Sequence, residues 1–360
     1  MRPTVHDIAE AAGVSLATVD RVLNRRPGVR ARMVEKVEDA VLRLGYVRDL
    51  TAANLARQRT YRFVFLLPEG DNPFMRALEA ELDRARERAV VDRLDLSVRR
   101  VPAFDGNALA AALDGIDPQA VSGVALVAVG TPAVESAVER LTERGVPVIT
   151  LVSDLPDSGR AHFAGIDNVA AGRTAASLLG RFIGERPGRV AVLAGSMLVR
   201  DHVERRRGFG EVMACDFPRL GIVPLMEAHD DPAEVARAVG DCIRRHPDVV
   251  GLYSLGAGNS GLLKSLSRRQ SGPRIAVVAH ELDASSRRAL EEGFFDAVIA
   301  QDPGHEIRSA IRVLRAKADG MAIVPAQERI RIEIYLGHNL PAGDGNEYHQ
   351  EMEEHHVSRA

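Results

Sequence analysis

The spacing of apolar positions changes character along the chain. Over the first 44 residues they recur at helical intervals in three short stretches. Val5, Ile8, Ala9 and Ala12 form one face, Val19, Val22 and Leu23 a second, and Val34, Val37, Val41 and Leu44 a third. The pattern predicts helices over 5–12, 16–24 and 31–44. Thr4 and Asp7 supply a capping signature for the first: the hydroxyl can accept from the first turn, and the carboxylate suits the positive helix end. Gly13 supplies the stop and Ser15 caps the second helix.

From Tyr61 the period shortens. Apolar runs at 63–67, 96–101, 123–129, 146–152, 189–193, 249–253, 275–278 and 297–300 alternate with helical stretches such as 74–90, 107–114 and 132–144. Such alternation gives parallel sheets covered on both faces. The units are too many for one sheet, which predicts two lobes, and ligands of open α/β sheets bind at the carboxyl ends of the strands. The fold class expected is therefore α/β. An all-α N-terminal headpiece and hinge precede a two-lobed, doubly wound parallel-sheet domain. Residues 341–360 are polar and aperiodic and read as a disordered tail, so His349, His355 and His356 have no ordered scaffold to make a metal site.

A length of 360 residues implies two or three domains, and 46% hydrophobic residues are enough for a sizeable core. No run approaches the roughly 18 apolar residues of a membrane span, and the N-terminus lacks the apolar region of a secretory signal. Both favour the cytoplasm, without membrane contact. Cys215 and Cys242 lack metal or redox spacing and read as reduced, buried thiols. The net charge of −3 is unevenly spread: residues 1–62 hold 12 Lys or Arg against 7 Asp or Glu, an excess of 5, which leaves −8 on the rest. A basic head on an acidic body is the footprint of one small module that meets nucleic acid.

Two short helices joined by a tight glycine turn make a helix-turn-helix, whose second helix enters the major groove by its N-terminal end. That helix would present Leu16, Ala17, Asp20 and Arg21. Ser15 and Thr18 suit phosphate contacts, and Arg21 suits a bidentate contact to guanine.

Thr4-Val-x-Asp-Ile-Ala, Ala12-Gly-Val-Ser15, Ala17-Thr-Val, Arg21-Val-Leu-Asn24 and Leu44-Gly-Tyr46 resemble the headpiece of the lac-repressor family, almost continuously from Thr4 to Tyr46. The resemblance implies operator contacts from Thr4, Ser15, Leu16, Ala17, Thr18, Arg21 and Asn24. It also implies a hinge helix at 51–55, whose Asn54 and Leu55 reach the minor groove, with Leu55 as a wedge between base steps. Asp20 departs from the family's usual serine, and Val47-Arg-Asp replaces its usual x-Pro-Asn. Leu16 and Ala17, at the variable base-reading pair, are apolar and point to thymine methyl groups.

Asp71-Asn-Pro-Phe74, Gly165-Ile-Asp-Asn168-x-x-Ala-Gly172, Arg205-x-x-Gly-Phe209 and Gln301-Asp-Pro303 resemble the type-I periplasmic sugar-binding fold that this family carries as its effector domain. The resemblance covers 62–338 and implies lobe crossings near 162–165, 296–300 and 323–327. The division expected is 1–49 headpiece, 50–61 hinge and 62–340 effector domain, with lobe 1 over 62–164 and 298–324 and lobe 2 over 165–297 and 325–340. Effector contacts carried over are Asn72, Phe74, Asp154, Arg205, Asn259, His280, Glu281 and Gln301. Plainer readings stand beside several of these. Asn72 can simply cap a helix, Arg205 can belong to a solvated cluster with Arg206 and Arg207, and His280 can be a satisfied loop histidine. Val152 or Ser153 can stand in for Asp154.

The function implied is a sugar- or polyol-responsive repressor of a carbohydrate or polyol utilisation operon. It would bind double-stranded operator DNA as a homodimer or tetramer and need no cofactor. The competing class is a solute-binding receptor without a regulatory role. The sequence motifs of dinucleotide-binding, P-loop and nucleophile-elbow enzymes are absent, so no enzyme is expected.

Overall fold

A computed structural model of the chain describes residues 3–23, 28–44, 60–269 and 272–342. Its internal contacts divide the chain into two units, 1–59 and 60–360. The expected contacts Asn24, Asn54 and Leu55, and the tail from 343 onward, lie outside the described residues.

The first unit contains α1 (Val5–Ala12), α2 (Leu16–Leu23) and α3 (Ala31–Leu44). The α1 cap is reciprocal: Thr4 N donates to Asp7 Oδ2 at 2.6 Å, and Asp7 N donates back to Thr4 Oγ1 at 3.4 Å. Gly13 closes the helix at φ 61°, in the left-handed region open to a residue without Cβ. Ile8, Ala9, Ala12, Val19, Val37 and Ala40 form the core, with Val22, Leu23, Val41 and Leu44 packed against it. Val5 is the exception among the expected inward positions, 38% exposed at the open N-terminal turn.

The second unit holds two sheets. The first has the order β2 (Leu94–Val101), β1 (Tyr61–Pro68), β3 (Gly123–Val127), β4 (Val148–Leu151), β5 (His162–Ala164), parallel throughout. α4 (Pro73–Asp92), α5 (Gly106–Asp114) and α6 (Pro132–Glu143) connect its strands. The chain then crosses to α7 (Asn168–Ile183), β6 (Gly188–Ala194), α8 (Arg200–Asp216), β7 (Leu220–Ile222), β8 (Met226–Glu227) and α9 (Pro232–Arg245). It continues through β9 (Val249–Ser254), α10 (Asn259–Ser267), β10 (Ala276–His280), α11 (Ala284–Glu291) and β11 (Ala297–Ala300). α12 (Pro303–Ala318) and β12 (Glu333–Tyr335) complete it. The second sheet runs β12-β11-β10-β9-β6-β7, with β8 also on β6, and only β12 is antiparallel.

The inner strands are apolar almost throughout, as expected of sheets buried on both faces: β4, β9 and β10 are buried at every position, whereas the edge strand β2 carries Asp95, Ser97, Arg99 and Arg100. Ile307, Ala310, Val313 and Leu314 of α12 pack with Phe63, Phe65 and Ile149 of the first sheet, so this helix returns to lobe 1. The return begins after Ala300, because β11 pairs with β10 and β12. The boundary expected at 298 is thus three residues early: an apolar run reads alike in either sheet, and only its pairing decides. Where α7 meets α8, Gly172 and Gly208 face backbone atoms with no room for a Cβ. Among the described residues no helix is long and apolar enough to cross a membrane.

Candidate functional site

On the first unit, Ser15, Leu16, Ala17, Asp20 and Arg21 are exposed and Thr18 is half-buried. Leu16, at the first turn of α2, is 42% exposed. Ser15 Oγ lies 2.9 Å from Thr18 Oγ1 and accepts from Thr18 N at 3.2 Å, which caps α2 and leaves both hydroxyls at its N-terminal end. Thr4, though exposed, is committed to Asp7.

In the second unit a cleft of about 340 Å³ lies between the lobes, at the carboxyl ends of both sheets. Hydrogen bonds among the described residues join the lobes across it. Asn72 Nδ2 donates to Asp230 Oδ2 at 3.0 Å, Arg200 N to Ser153 Oγ at 2.9 Å, and Gly130 N to Leu198 O at 2.9 Å. Asn72 also caps α4, its Oδ1 accepting from Phe74 N and Met75 N. The capping reading is therefore realised, and the same side chain lines the cleft. Phe74 lines the wall beside it.

Arg205 is 2% exposed and is no member of a solvated cluster. Its Nε donates to Asn168 Oδ1 at 2.8 Å and its Nη1 to the Leu255 carbonyl at 2.7 Å. Carboxylates flank it on two sides, Asp201 Oδ2 at 3.9 Å and Glu281 Oε1 at 3.8 Å. Gln301 Nε2 donates to Glu281 Oε1 at 2.9 Å. Burial pushes the Glu281 carboxyl up to about 7, with Asp201 adding to the rise and Arg205 and Gln301 opposing it. Asn72, Phe74, Arg205, Glu281 and Gln301 are thus brought to one cleft.

Three expected contacts are not among its lining. Asp154 turns away to Arg160, with Arg160 Nη2 donating to Asp154 Oδ2 at 2.6 Å, and accepts from Thr150 Oγ1 at 2.7 Å. Ser153 takes the cleft position. His280 lies under the floor, its Nε2 2.8 Å from the Tyr253 hydroxyl, and burial holds its pKa well below the usual histidine range. Consecutive side chains at a strand end point to opposite sides, so Glu281 occupies the cleft and His280 cannot. Asn259 donates to the His280 carbonyl at 2.8 Å, while Gly256 and Ala257 line the cleft in its stead.

The sequence reading missed Asp201, His202, Asp230 and Phe104. Asp201 sits one helical turn before Arg205, a spacing that could have found it. Asp230 and Phe104 carry no local signal. Asp230 accepts from Ala257 N at 3.0 Å as well as from Asn72, and Phe104 meets His229 edge-on, with ring centres 6.3 Å apart. Backbone strain marks the same place. Six described non-glycine residues have positive φ, and five of them line the cleft: Phe104, Val152, His229, Asp230 and Glu281. Left-handed conformations of this kind persist where the surroundings over-determine them, and they cluster at ligand sites. For β-branched Val152 the conformation is a genuine outlier.

Two sheets facing each other across a strained cleft, reached by three passages of the chain, define a two-lobed ligand-binding domain. The chain belongs to the family described as periplasmic binding protein domain, matched over residues 63–322, and residues 4–49 match bacterial regulatory proteins of the lacI family. It is 25% identical over 225 residues to catabolite control protein A of Staphylococcus aureus, a match covering 61% of this chain and 64% of that protein. It is 25% identical over 162 residues to the HTH-type transcriptional regulator DegA of Bacillus subtilis, covering 43% and 45%. The matches thus span less than two thirds of the length of either relative. Among solved structures, a solute-binding protein from Burkholderia graminis in complex with D-arabinose superposes with a TM-score of 0.71 at 22% identity, covering 79% of this chain and 98% of that one. GanP, a glucose-galactose binding protein from Geobacillus stearothermophilus, gives 0.69 at 21% identity, covering 79% and 100%. At these identities the likeness is one of fold.

Proposed function

We propose that the chain is a DNA-binding transcription regulator, a repressor of a carbohydrate or polyol utilisation operon. It acts in the cytoplasm as a homodimer or tetramer on a pseudo-palindromic operator. Thr4, Ser15 and Thr18 position the headpiece, with Leu16, Ala17 and Arg21 at the base edges. Asn24, Asn54 and Leu55 join these contacts by family resemblance. A hydroxylated small molecule between Asn72, Phe74, Arg205, Glu281 and Gln301 modulates DNA affinity, while Asn259 and His280 support the floor. The observation that carries the reading is a lacI-type helix-turn-helix on the same chain as a cleft spanned by bonds between its lobes. A ligand that binds one lobe arrangement better than another shifts the equilibrium between them, and only that difference can reach the DNA. The likeness to solute-binding proteins alone would favour a receptor without a regulatory role, and the headpiece decides against it.

Arg21 gives the direct test. Arg21→Ala should weaken binding to the protein's own upstream DNA by about 1–3 kcal/mol and relax one operator position, since a bidentate guanine contact carries that much discrimination. Mobility shifts on a set of single-base operator variants read both effects, and unchanged affinity and base preference would remove Arg21 from the base-reading role.

A further inference from the structure

The cleft holds more negative charge than its own residues neutralise. Asp201, Asp230 and Glu281 line it, and Arg205 is its only lysine or arginine among the described residues. Arg205 is shared between Asp201 and Glu281 and is already hydrogen-bonded to Asn168 and Leu255. Among the described residues Asp230 accepts from the neutral donors Asn72 Nδ2 and Ala257 N. Asp201 is 6% exposed and Gln301 4%, and among the described residues neither Asp201 Oδ1 nor Gln301 Oε1 has a hydrogen-bond partner. His202 Nε2 lies 3.7 Å from Asp201 Oδ2. Glu69, Asp71 and Asp231 line the cleft as well, so its carboxylates outnumber Arg205 even without Glu281. Buried acceptors without donors are costly, and an ammonium would supply both donors and the opposite charge.

We propose that the effector is a single-ring polyol carrying a protonated amine, an amino sugar or aminocyclitol, whose ammonium is held by Asp201 and Asp230 while Arg205, Glu281 and Gln301 take its hydroxyls. The inference rests on the cleft being the effector site. His202 links the two aspartates: a Cβ on Gly256 would stand 2.7 Å from His202 Nε2 and 2.8 Å from Asp230 Oδ1, and the same Nε2 is 3.7 Å from Asp201 Oδ2. Phe74 and Phe104 offer aromatic faces, which attract organic cations as well as the apolar faces of sugar rings. A volume of about 340 Å³ is at the lower end of small-molecule sites and suits one ring. A metal ion does not fit the same charge, because no group of three or more His, Cys, Asp or Glu among the described residues can hold one.

The test is isothermal titration of the full chain with matched pairs: glucosamine and glucose, galactosamine and galactose, 2-deoxystreptamine and myo-inositol. N-acetylglucosamine serves as an uncharged control of similar shape. At least one amine should bind at least about 10-fold more tightly than its neutral partner, weaken with added salt, and lose most of that advantage in Asp201→Asn. Neutral partners binding as well as the amines would overturn the charge assignment and leave a polyol sensor standing. No binding by any amine would overturn it too. A ligand-free mobility shift on the upstream DNA tests the regulator reading separately, so the two failures are distinguishable.

Discussion

Replacing Arg205 with alanine is expected to cost the effector domain about 3–5 kcal/mol, the range for removing one partner of a buried ion pair. Family resemblance alone assigns this residue to the ligand, with a loss of about 10- to 100-fold in ligand affinity when it is truncated. Its surroundings give it a second task. Without the guanidinium, Asn168 Oδ1 and the Leu255 carbonyl lose their donor, and Asp201 and Glu281 lose the charge between them. Asn168 opens α7, just past the first lobe crossing, and its amide reaches the Val152 carbonyl of the other lobe at 3.5 Å. The damage should therefore reach the joint between the lobes as well as the ligand. In thermal denaturation the variant should melt lower by on the order of 10 °C. Arg205→Lys, which keeps the charge but not the planar fork, should fall between. A wild-type melting temperature in Arg205→Ala would mean that the guanidinium is a ligand contact alone.

Glu281→Gln should change stability in a way that depends on pH. The Glu281 carboxyl titrates near 7 in the folded protein against an ordinary 4.5, with burial the main cause. A folded pKa above the unfolded one means that the native state keeps a proton which the unfolded chain has released. The stabilisation is fully present below about pH 4.5 and is lost as pH rises through 7. A shift of this size corresponds to about 3 kcal/mol. The side chain is 13% exposed, so solvent screening is modest. Glutamine does not titrate. The stability of the variant relative to wild type should therefore rise by about 3 kcal/mol between pH 4.5 and pH 8, and the relative measure cancels the titrating groups that do not interact with Glu281. Denaturant unfolding of both proteins across that range is the measurement, and a difference that stays flat would show that Glu281 is not held protonated by its surroundings.

How much of this was legible in the sequence depends on how local each signal is. The headpiece could be read almost residue by residue, because Thr4 with Asp7, Gly13 and the 3–4 spacing of Val19, Val22 and Leu23 act within one or two turns. The alternation of strands and helices identified two lobes of parallel sheet. Strand order was not available, because β1 lies between β2 and β3 through contacts that no local pattern encodes. The same limit misplaced the boundary at β11. In the cleft, residues attached to a recognisable motif were found: Asn72 and Phe74 through Asp-Asn-Pro-Phe, Arg205 through Arg-x-x-Gly-Phe, Gln301 through Gln-Asp-Pro. Asp230 was missed because its role is made by Asn72, 158 residues away, and by the glycine at 256 that leaves space for its carboxylate. His280 was placed in the cleft because sequence gives no direction for a side chain at a strand end, where one residue decides which of two neighbours faces the ligand.

The central claim is that occupancy of the cleft is read out at the DNA. The direct measurement is the affinity of the full chain for its own upstream DNA, by fluorescence anisotropy, with and without a saturating amount of whichever polyol or amino polyol most raises the melting temperature. The account predicts a change in Kd of at least about 10-fold, a coupling of roughly 1.4 kcal/mol, that is lost in Gln301→Ala. A ligand that stabilises the domain yet leaves the DNA affinity unchanged would contradict it.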